Sequence, residues 1–293
     1  MYIHINFASL YYNFETMELK ELERVTRDLP STKRMPVLFT SHGNPMEALS
    51  DLNATPFFTS LGEVSRKIRH DFSINAVLVV SAHWCTRGTF VNAGEVQETI
   101  HDYGGFPKEF YEIQYPAHGS PKYAHEVAKL SEAIHETKEW GLDHGSWPIL
   151  RHYFPNGDVP VFQMSIDYYR PAQYHYELAK QLKSLREKGV LIIGSGSVVH
   201  NLKLAVPKMF GGDMNPYGWE IEFDEWVKKK LDDRDFESLV NYEKNKLGLM
   251  AAPTPDHYVP MMYTLGLADK DEPIEHTFEE LLPAFSNRGF RVG

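Results

Sequence analysis

Four short runs of apolar residues, rich in β-branched side chains, recur along the first two thirds of the chain and alternate with amphipathic segments. Short apolar runs of this kind indicate buried strands, and the amphipathic segments indicate helices. The alternation predicts an α/β fold, a single domain with a largely parallel or mixed central sheet flanked by helices. The predicted strands are Met35–Ser41, Ile74–Ala82, Val159–Ile166 and Gly189–Ser197, and the predicted helices lie around Phe57–His70, Pro121–Lys138, Ser146–Tyr153 and Pro171–Lys188.

The remaining segments predict more helix and one long loop. Residues Thr89 to Gly119, rich in glycine and aromatic residues, predict a short hairpin and a loop near the mouth of a site. Two helices are predicted at Trp219–Leu231 and Phe236–Met250, after which the chain enters the proline-bracketed segment PTPDHYVP. No repeat or low-complexity tract divides the chain. We therefore expect one domain over residues 35–293, preceded by an extension, residues 1–34, with a helix over residues 16–29.

Four histidines follow strand-like or turn-like segments closely: His42 in FTSHGNP, His83 in VVSAHW, His200 in GSGSVVH and His257 in TPDHYVP. Ligands of open α/β sheets bind beyond the carboxyl ends of the strands. Imidazole is the commonest metal ligand in proteins. Each histidine alone is more often a hydrogen-bonded core residue, but together they predict a metal site. Eight other histidines are expected to be solvated: His4, His70, His101, His125, His135, His152, His175 and His276.

Composition narrows the class of protein. The single cysteine, Cys85, excludes a disulfide within the chain and a thiolate-rich zinc site, so a metal would need nitrogen and oxygen ligands. The formal charge of −10 and the lack of clustered lysine and arginine argue against a nucleic-acid partner. No apolar run is long enough to span a membrane, and the N-terminus is a poor signal peptide. We expect a cytoplasmic protein, a monomer or small homo-oligomer, with no membrane partner.

Other chemistries match the motifs less well. The segment GSGSVVH could form a phosphate-binding loop, but it lacks the lysine of a P-loop, and its small residues are better explained as leaving space for His200. A serine hydrolase is disfavoured because no GxSxG motif occurs. In LDHGSWP, His144 or Asp143 could contact a substrate or support the site, and Asp143 could equally serve only as a helix cap.

Seven collinear segments carry a family resemblance: MPVLFTSHGNPM, AVLVVSAHW, DYGGFPKEFYEIQYPA, LDHGSWPIL, PVFQMSID, GVLIIGSGSVVHNL and TPDHYVP. They resemble, in order, the signature segments of the 4,5-DOPA extradiol dioxygenase family, which belongs to the class III extradiol, protocatechuate 4,5-dioxygenase (LigB-like) superfamily. The resemblance extends from about Met35 to the C-terminus. It implies a non-haem Fe(II) enzyme that uses O2 to open a small catechol ring to a semialdehyde, although members with bound Zn(II) are also found.

The resemblance also implies residue roles. His42, His83 and His257 would bind the metal, His200 would be the acid/base, and His144 would lie in the substrate pocket. His200 as a fourth ligand remains open. In the wider superfamily the third ligand is a glutamate, whereas this chain has a histidine there. Three neutral imidazoles leave the metal charge uncompensated, which favours an anionic catecholate and tolerates zinc.

The substrate pocket is the least determined part of this prediction. Aromatic residues near the motif histidines could stack on a catechol ring, and each could equally belong to the core; they are Tyr103, Phe106, Tyr115 and Tyr258. Two other functions stay open, a zinc-dependent hydrolase that uses the same ligands and a non-catalytic binding protein of the Memo type.

Overall fold

The computed structural model describes residues 28–43 and 55–293. Most of the twelve strands among them belong to one sheet. They are β1 (Val37–Thr40), β2 (Ala76–Thr86), β3 (Thr89–Asn92), β4 (Val96–Gln97), β5 (Ala117–His118), β6 (Ile134–Thr137), β7 (Val161–Asp167), β8 (Val190–Ser195), β9 (Ile274–Phe278), β10 (Leu281–Leu282), β11 (Phe285–Ser286) and β12 (Gly289–Val292).

Helices cover this sheet and form most of the connections between strands. The α-helices of the described residues are α1 (Pro56–Asp71), α2 (Pro121–Lys129), α3 (Trp147–Tyr153), α4 (Ala172–Gln181), α5 (Leu202–Phe210), α6 (Gly218–Asp232), α7 (Phe236–Val240), α8 (Gly248–Ala251) and α9 (Pro260–Leu267). Short 3-10 helices occur at Lys108–Tyr111, Lys183–Lys188 and Tyr242–Lys244.

The main sheet has eight strands in the order β6-β3-β7-β2-β8-β1-β12-β9. Its centre is parallel, since β7, β2, β8 and β1 run in the same direction, while β12 and β9 add antiparallel strands at one edge. Along β2, Leu78 and Val80 pack into one hydrophobic core while Val77 and Val79 pack into the other. Burial on both faces explains the continuous apolar runs of the sequence. The predicted α/β class with a mixed central sheet is confirmed.

The four predicted strands and most of the predicted helices are confirmed, but several segments differ. The helix predicted over Pro171–Lys188 ends at Gln181 and is followed by a 3-10 helix over Lys183–Lys188. The helix predicted through Lys138 ends at Lys129, and residues Ile134–Thr137 form strand β6. The predicted Phe236–Met250 helix is broken into α7, a 3-10 turn and α8. Strands β9 and β12 were not predicted. These segments depend on pairing with distant strands, β6 with β3 and β12 with β1, which local pattern does not encode.

Two histidines that were expected to be solvated are buried instead. His175 is 1% exposed and makes hydrogen-bonding contacts with the Tyr263 hydroxyl and the Asp167 carbonyl, at 3.0 and 3.2 Å. His152 is 7% exposed and stacks on Phe58. His175 lies on the buried face of α4 with Ala172, Leu178 and Ala179, and His152 lies on α3, which is buried along nearly its whole length.

The described end of the N-terminal extension packs on the domain. Leu29 is 3% exposed, and the Thr32 amide donates to the Glu187 carbonyl at 2.7 Å. The helix predicted over residues 16–29 lies almost wholly outside the described residues, and the boundary at residue 34 stays a prediction. Within the described ranges, no helix combines the length and the apolar character needed to cross a bilayer.

Candidate metal centre

Strand register brings His42 and His83 together at the carboxyl edge of the sheet. Ser195, the last residue of β8, pairs with Thr40 of β1 on one side and with Ser81 of β2 on the other. His42 and His83 each lie two residues beyond these partners, so they converge above the end of β8. Their side chains meet there, with the two Nε2 atoms 3.1 Å apart.

His83 does not follow the end of its strand, as the sequence had predicted, because it lies within β2. The pairing of β2 with β7 is irregular between Val80 and Cys85, and the His83 amide donates to the Ser81 hydroxyl at 3.1 Å instead. Irregularities of this kind re-aim side chains and are frequent beside active sites. The departure from the regular ladder coincides with the turn of His83 toward His42.

The partners of the Nδ1 atoms define the protonation of both rings. The Ser195 hydroxyl donates to the Gly145 carbonyl, so toward His42 Nδ1, 3.2 Å away, it acts as an acceptor. His83 Nδ1 faces a carboxylate oxygen of Asp102 at 3.6 Å. These acceptors favour the tautomer with the proton on Nδ1 in both rings, in which the unprotonated Nε2 atoms face each other.

The separation of the His42 and His83 Nε2 atoms matches that of two nitrogen ligands of one metal ion. Nitrogen ligands about 2.0–2.1 Å from one metal, at tetrahedral to octahedral angles, lie about 2.8–3.4 Å from each other. The observed Nε2 to Nε2 distance of 3.1 Å falls in this range. The geometry of His42 and His83 therefore fits two ligands of one metal ion.

His257 supplies a third nitrogen of the same kind. Its side chain is 4% exposed, and Nδ1 lies 3.1 Å from the Asp256 carboxylate. Its Nε2 is buried without a hydrogen-bond partner. The ring centroid lies 5.3 Å from that of His42 and 4.9 Å from that of His83. A buried nitrogen without a partner is unfavourable unless a ligand satisfies it, so His257 fits a metal-binding role.

Glycines of the GSGS segment allow His257 to come this close. A Cβ on Gly196 would overlap the His257 carbonyl oxygen, and a Cβ on Gly194 would overlap that of Pro260. The Ser197 amide donates to the same His257 carbonyl at 2.7 Å. The small residues therefore make room for the backbone of the His257 segment, rather than for the His200 side chain as the sequence had suggested.

His144 lies next to His83 in the histidine group. One ligand nitrogen from each of His42, His83 and His144 falls within 4.8 Å of the others, and the His83 and His144 rings are 3.6 Å apart. His144 Nδ1 and its backbone amide both lie 2.9 Å from one oxygen of Asp102. His144 is thus close enough to touch either the metal or a bound substrate.

His200 stacks on His257, with the ring centroids 3.4 Å apart. Its backbone forms a bridge to Phe285, whose ring lies 5.4 Å away. Burial, opposed in part by the Asp256 carboxylate, lowers the pKa of His200 to about 4. The imidazole is therefore neutral near neutral pH and able to accept a proton.

Burial also lowers the pKa values of His42, His83 and His257. Burial, and then the proximity of His144, lower the pKa of His83 to about 3. Burial and the neighbouring histidines also hold the pKa values of His42 and His257 well below their ordinary range. Neutral imidazoles are the form that binds metal ions.

Asp143 is hydrogen-bonded to residues that position His83. Its carboxylate accepts hydrogen bonds from the Ser81 hydroxyl at 2.6 Å and the Gly145 amide at 3.0 Å, and also from Trp140 and Gln163. It is fully buried, and burial raises its pKa. Because Ser81 also holds the His83 amide, Asp143 fixes the strand that carries His83. Its side chain bonds this network instead of capping α3, whose N-cap residue is Ser146.

The four aromatic residues predicted for the pocket fall into two groups. Tyr103 lies 5.5 Å from His144 and 5.1 Å from Phe106, ring to ring, and both are partly exposed. Tyr115 is 2% exposed and bonds the Phe154 carbonyl, while Tyr258 is fully buried and bonds the Leu239 carbonyl. Tyr115 and Tyr258 thus offer no surface to a substrate, and the core alternative describes them better.

Sequence analysis missed two residues that contact the histidines. Asp102 is the second residue of the loop segment HDYGGFP, and Ser195 lies inside the GSGS segment. Neither residue type nor spacing marks them, because their contacts depend on the register of β8 and on the path of the loop. A carboxylate next to glycine and aromatic residues was the only signal for Asp102.

Comparison with known proteins identifies the family. Residues 36–290 match the family described as the catalytic LigB subunit of aromatic ring-opening dioxygenase. A protein of Escherichia coli K12 called 4,5-DOPA dioxygenase extradiol is 42% identical over 83% of this chain and 89% of its own length. One of the same name from Beta vulgaris is 35% identical, covering 81% and 88%.

Structure gives the same result. The crystal structure of an uncharacterized protein from Escherichia coli K12 superposes with a TM-score of 0.75 at 36% identity, covering 89% of this chain and all of that one. The family match extends over nearly the whole described domain and includes the segments that carry all five clustered histidines. The chain therefore belongs to the family of the catalytic LigB subunit of aromatic ring-opening dioxygenases, which are oxygenase enzymes.

Proposed function

We propose that this protein is a metal-dependent extradiol dioxygenase that opens a small, DOPA-like catechol ring with O2. The observation that carries this proposal is the set of three imidazoles, His42, His83 and His257, whose Nδ1 atoms face acceptors. The Nε2 atoms of His42 and His83 face each other, and that of His257 has no partner. The substrate class is suggested by the relatives named 4,5-DOPA dioxygenase extradiol.

In this proposal His42, His83 and His257 hold iron(II). When bound, iron(II) supplies the redox chemistry that allows O2 to react with a catechol, which zinc cannot supply. The protein contributes rigid ligand positions. Two of the three histidines are attached to the parallel centre of the sheet, and the third is packed against β8 through Gly196.

His200 is proposed as the acid/base. With a pKa of about 4 its ring is neutral near neutral pH, so it can take the proton that a catechol hydroxyl releases on binding. Its stacking on His257 supports this role, because it brings the His200 ring next to a proposed metal ligand. The protonated ring could later return this proton to the opened product.

His144, Tyr103 and Phe106 are proposed to form the substrate side of the site. Asp102 contacts the His144 ring and amide, which fixes the imidazole next to His83. The partly exposed rings of Tyr103 and Phe106 lie behind it and could contact one face of a single aromatic ring. A small catechol is thus the substrate class that this arrangement favours.

The two other functions considered from the sequence are not favoured. A zinc-dependent hydrolase and a non-catalytic Memo-like protein could use the same histidines, but the matching family and the named relatives are dioxygenases. A further relative, at 28% identity, is also named a dioxygenase, tasH of Hapsidospora irregularis. The names of these relatives support a dioxygenase over a hydrolase or a binding protein.

The proposal is tested by anaerobic loading of the metal-free protein with either iron(II) or zinc, followed by addition of O2 and a panel of catechols that includes DOPA. We expect O2 consumption and a yellow product with iron only. Ester or amide hydrolysis by the zinc-loaded protein, without O2 consumption by the iron-loaded one, would favour the hydrolase.

A further inference from the structure

The site carries two carboxylates that do not point at the metal position but contact the outer nitrogens of the histidines. Asp256 lies 3.1 Å from His257 Nδ1, and Asp102 lies 3.6 Å from His83 Nδ1. The ion pairs recorded for both carboxylates have histidines as partners, namely His83, His144 and His257. Their negative charge is therefore directed toward the histidine group.

We propose that Asp102 and Asp256 are positioning residues that provide, from behind His83 and His257, the negative charge that a three-histidine site lacks among its direct ligands. This inference rests on the proposed metal-binding role of these histidines. A divalent ion with three neutral imidazoles keeps its full charge, and two carboxylates one imidazole away compensate it formally. Carboxylates in this position also fix the tautomer and raise the basicity of the ligand.

Burial makes this charge effective. The side chains of Asp102 and Asp256 are 16% and 23% exposed, and one oxygen of Asp256 is buried without any hydrogen-bond partner. Charges in such surroundings are screened far less than those at the surface. Leaving an anionic oxygen unpaired there is unfavourable unless a cation lies nearby. The arrangement is thus explained by a cation on the far side of the His257 ring.

The two carboxylates have different additional tasks. Asp256 makes its close contact with His257, while its negative charge also acts on His200 and His83. Asp102 contacts His83 with one oxygen and the His144 ring and amide with the other. Asp102 therefore links a proposed metal ligand to a proposed substrate-side residue, and its loss would affect both metal binding and the position of His144.

The test measures zinc affinity by chelator competition in Asp102→Asn and Asp256→Asn. Asparagine keeps the size and an acceptor oxygen but removes the charge. We expect the dissociation constant for zinc to rise about 10- to 100-fold in each variant, the effect typical of removing the partner of a metal-bound histidine. The matched control is Asp158→Asn, where the carboxylate pairs with Arg69 at the surface, and it should bind zinc like the wild type.

Zinc affinity within about twofold of the wild type in either variant would overturn the inference. If a variant does not fold, the wild type provides the test, because NMR of the metal-free, ¹⁵N-histidine-labelled protein reports ring tautomers. We expect His83 and His257 to carry the proton on Nδ1, and a proton on Nε2 of either ring would overturn the inference. Wild-type protein that binds zinc with the expected affinity but consumes no O2 with any catechol when loaded with iron(II) would contradict the proposed function alone.

Discussion

The imidazole rings of His200 and His257 stack face to face, with centroids 3.4 Å apart and planes inclined by 6°. Only one of the two has a buried nitrogen without a partner, Nε2 of His257. The stack therefore places a neutral, proton-accepting ring directly against a ring with a free ligand atom. Whether His200 acts as the acid/base or as a fourth ligand stays a prediction that substitution can test.

His200→Ala should retain most of the bound metal and lose most of the turnover. General acid/base catalysis contributes typically about 10²–10⁴ in rate, and we expect a kcat reduced within this range. Metal content of the dialysed variant, measured by elemental analysis beside kcat, checks this. Loss of the metal would instead make His200 a fourth ligand and transfer the acid/base role to His144.

His257→Ala should reduce metal occupancy sharply, because it removes the buried Nε2 that has no other partner. His257→Glu should recover part of it, since a carboxylate would give the two-histidine, one-carboxylate set of the wider superfamily. Elemental analysis after dialysis distinguishes the two variants. Full occupancy in the alanine variant would remove His257 from the site and direct attention to Asp256.

Gly196→Ala should displace the His257 segment, because the added Cβ overlaps the His257 carbonyl oxygen. Overpacking of this kind costs about 1–3 kcal/mol, and we expect both a lower unfolding free energy and weaker metal binding. The matched control is Gly218→Ala, at a position where a Cβ meets no atom within 4 Å. Unchanged zinc affinity in Gly196→Ala would show that the approach of His257 to β8 does not set the site.

The unfolding free energy of the metal-free protein should decrease as the pH is lowered, because buried histidines such as His175 have lowered pKa values. Burial lowers the pKa of His175 from its ordinary 6.5 to about 4. Between these values the unfolded chain binds a proton that the folded chain does not, so the unfolding free energy decreases as pH falls from about 6.5 to about 4. His175→Gln should flatten this slope in urea unfolding, whereas His70→Gln, on an exposed side chain, should not.

The sequence predicted those parts of the molecule that local pattern determines. The four central strands follow from continuous apolar runs, and the cluster of His42, His83, His144, His200 and His257 follows from motifs near strand ends and loops. The segment that forms strand β6 was predicted as part of a helix, because the strand depends on pairing with β3. The strands β9 and β12 were missed for the same reason.

Within the site, sequence could name the histidines but not their surroundings. Ser195 and Asp102 contact the rings only because the register of β8 and the path of the loop before Tyr103 bring them there. The sequence correctly indicated that the small residue Gly196 leaves space at a strand end. That space is filled by the backbone of His257. Such contacts between distant segments are not recorded in spacing along the chain.

Iron(II) held by His42, His83 and His257 is proposed to allow this protein to open a catechol ring with O2. The most direct test is O2 consumption by the anaerobically iron-loaded protein with DOPA and simpler catechols, combined with mass spectrometry of the product. We expect one O2 consumed per catechol and, from a simple catechol, a yellow product whose mass equals that of the catechol plus one O2; from DOPA, whose amine can condense with the new carbonyl group, the same mass or that mass less one water. Iron-loaded protein that consumes no O2 with any catechol would contradict it.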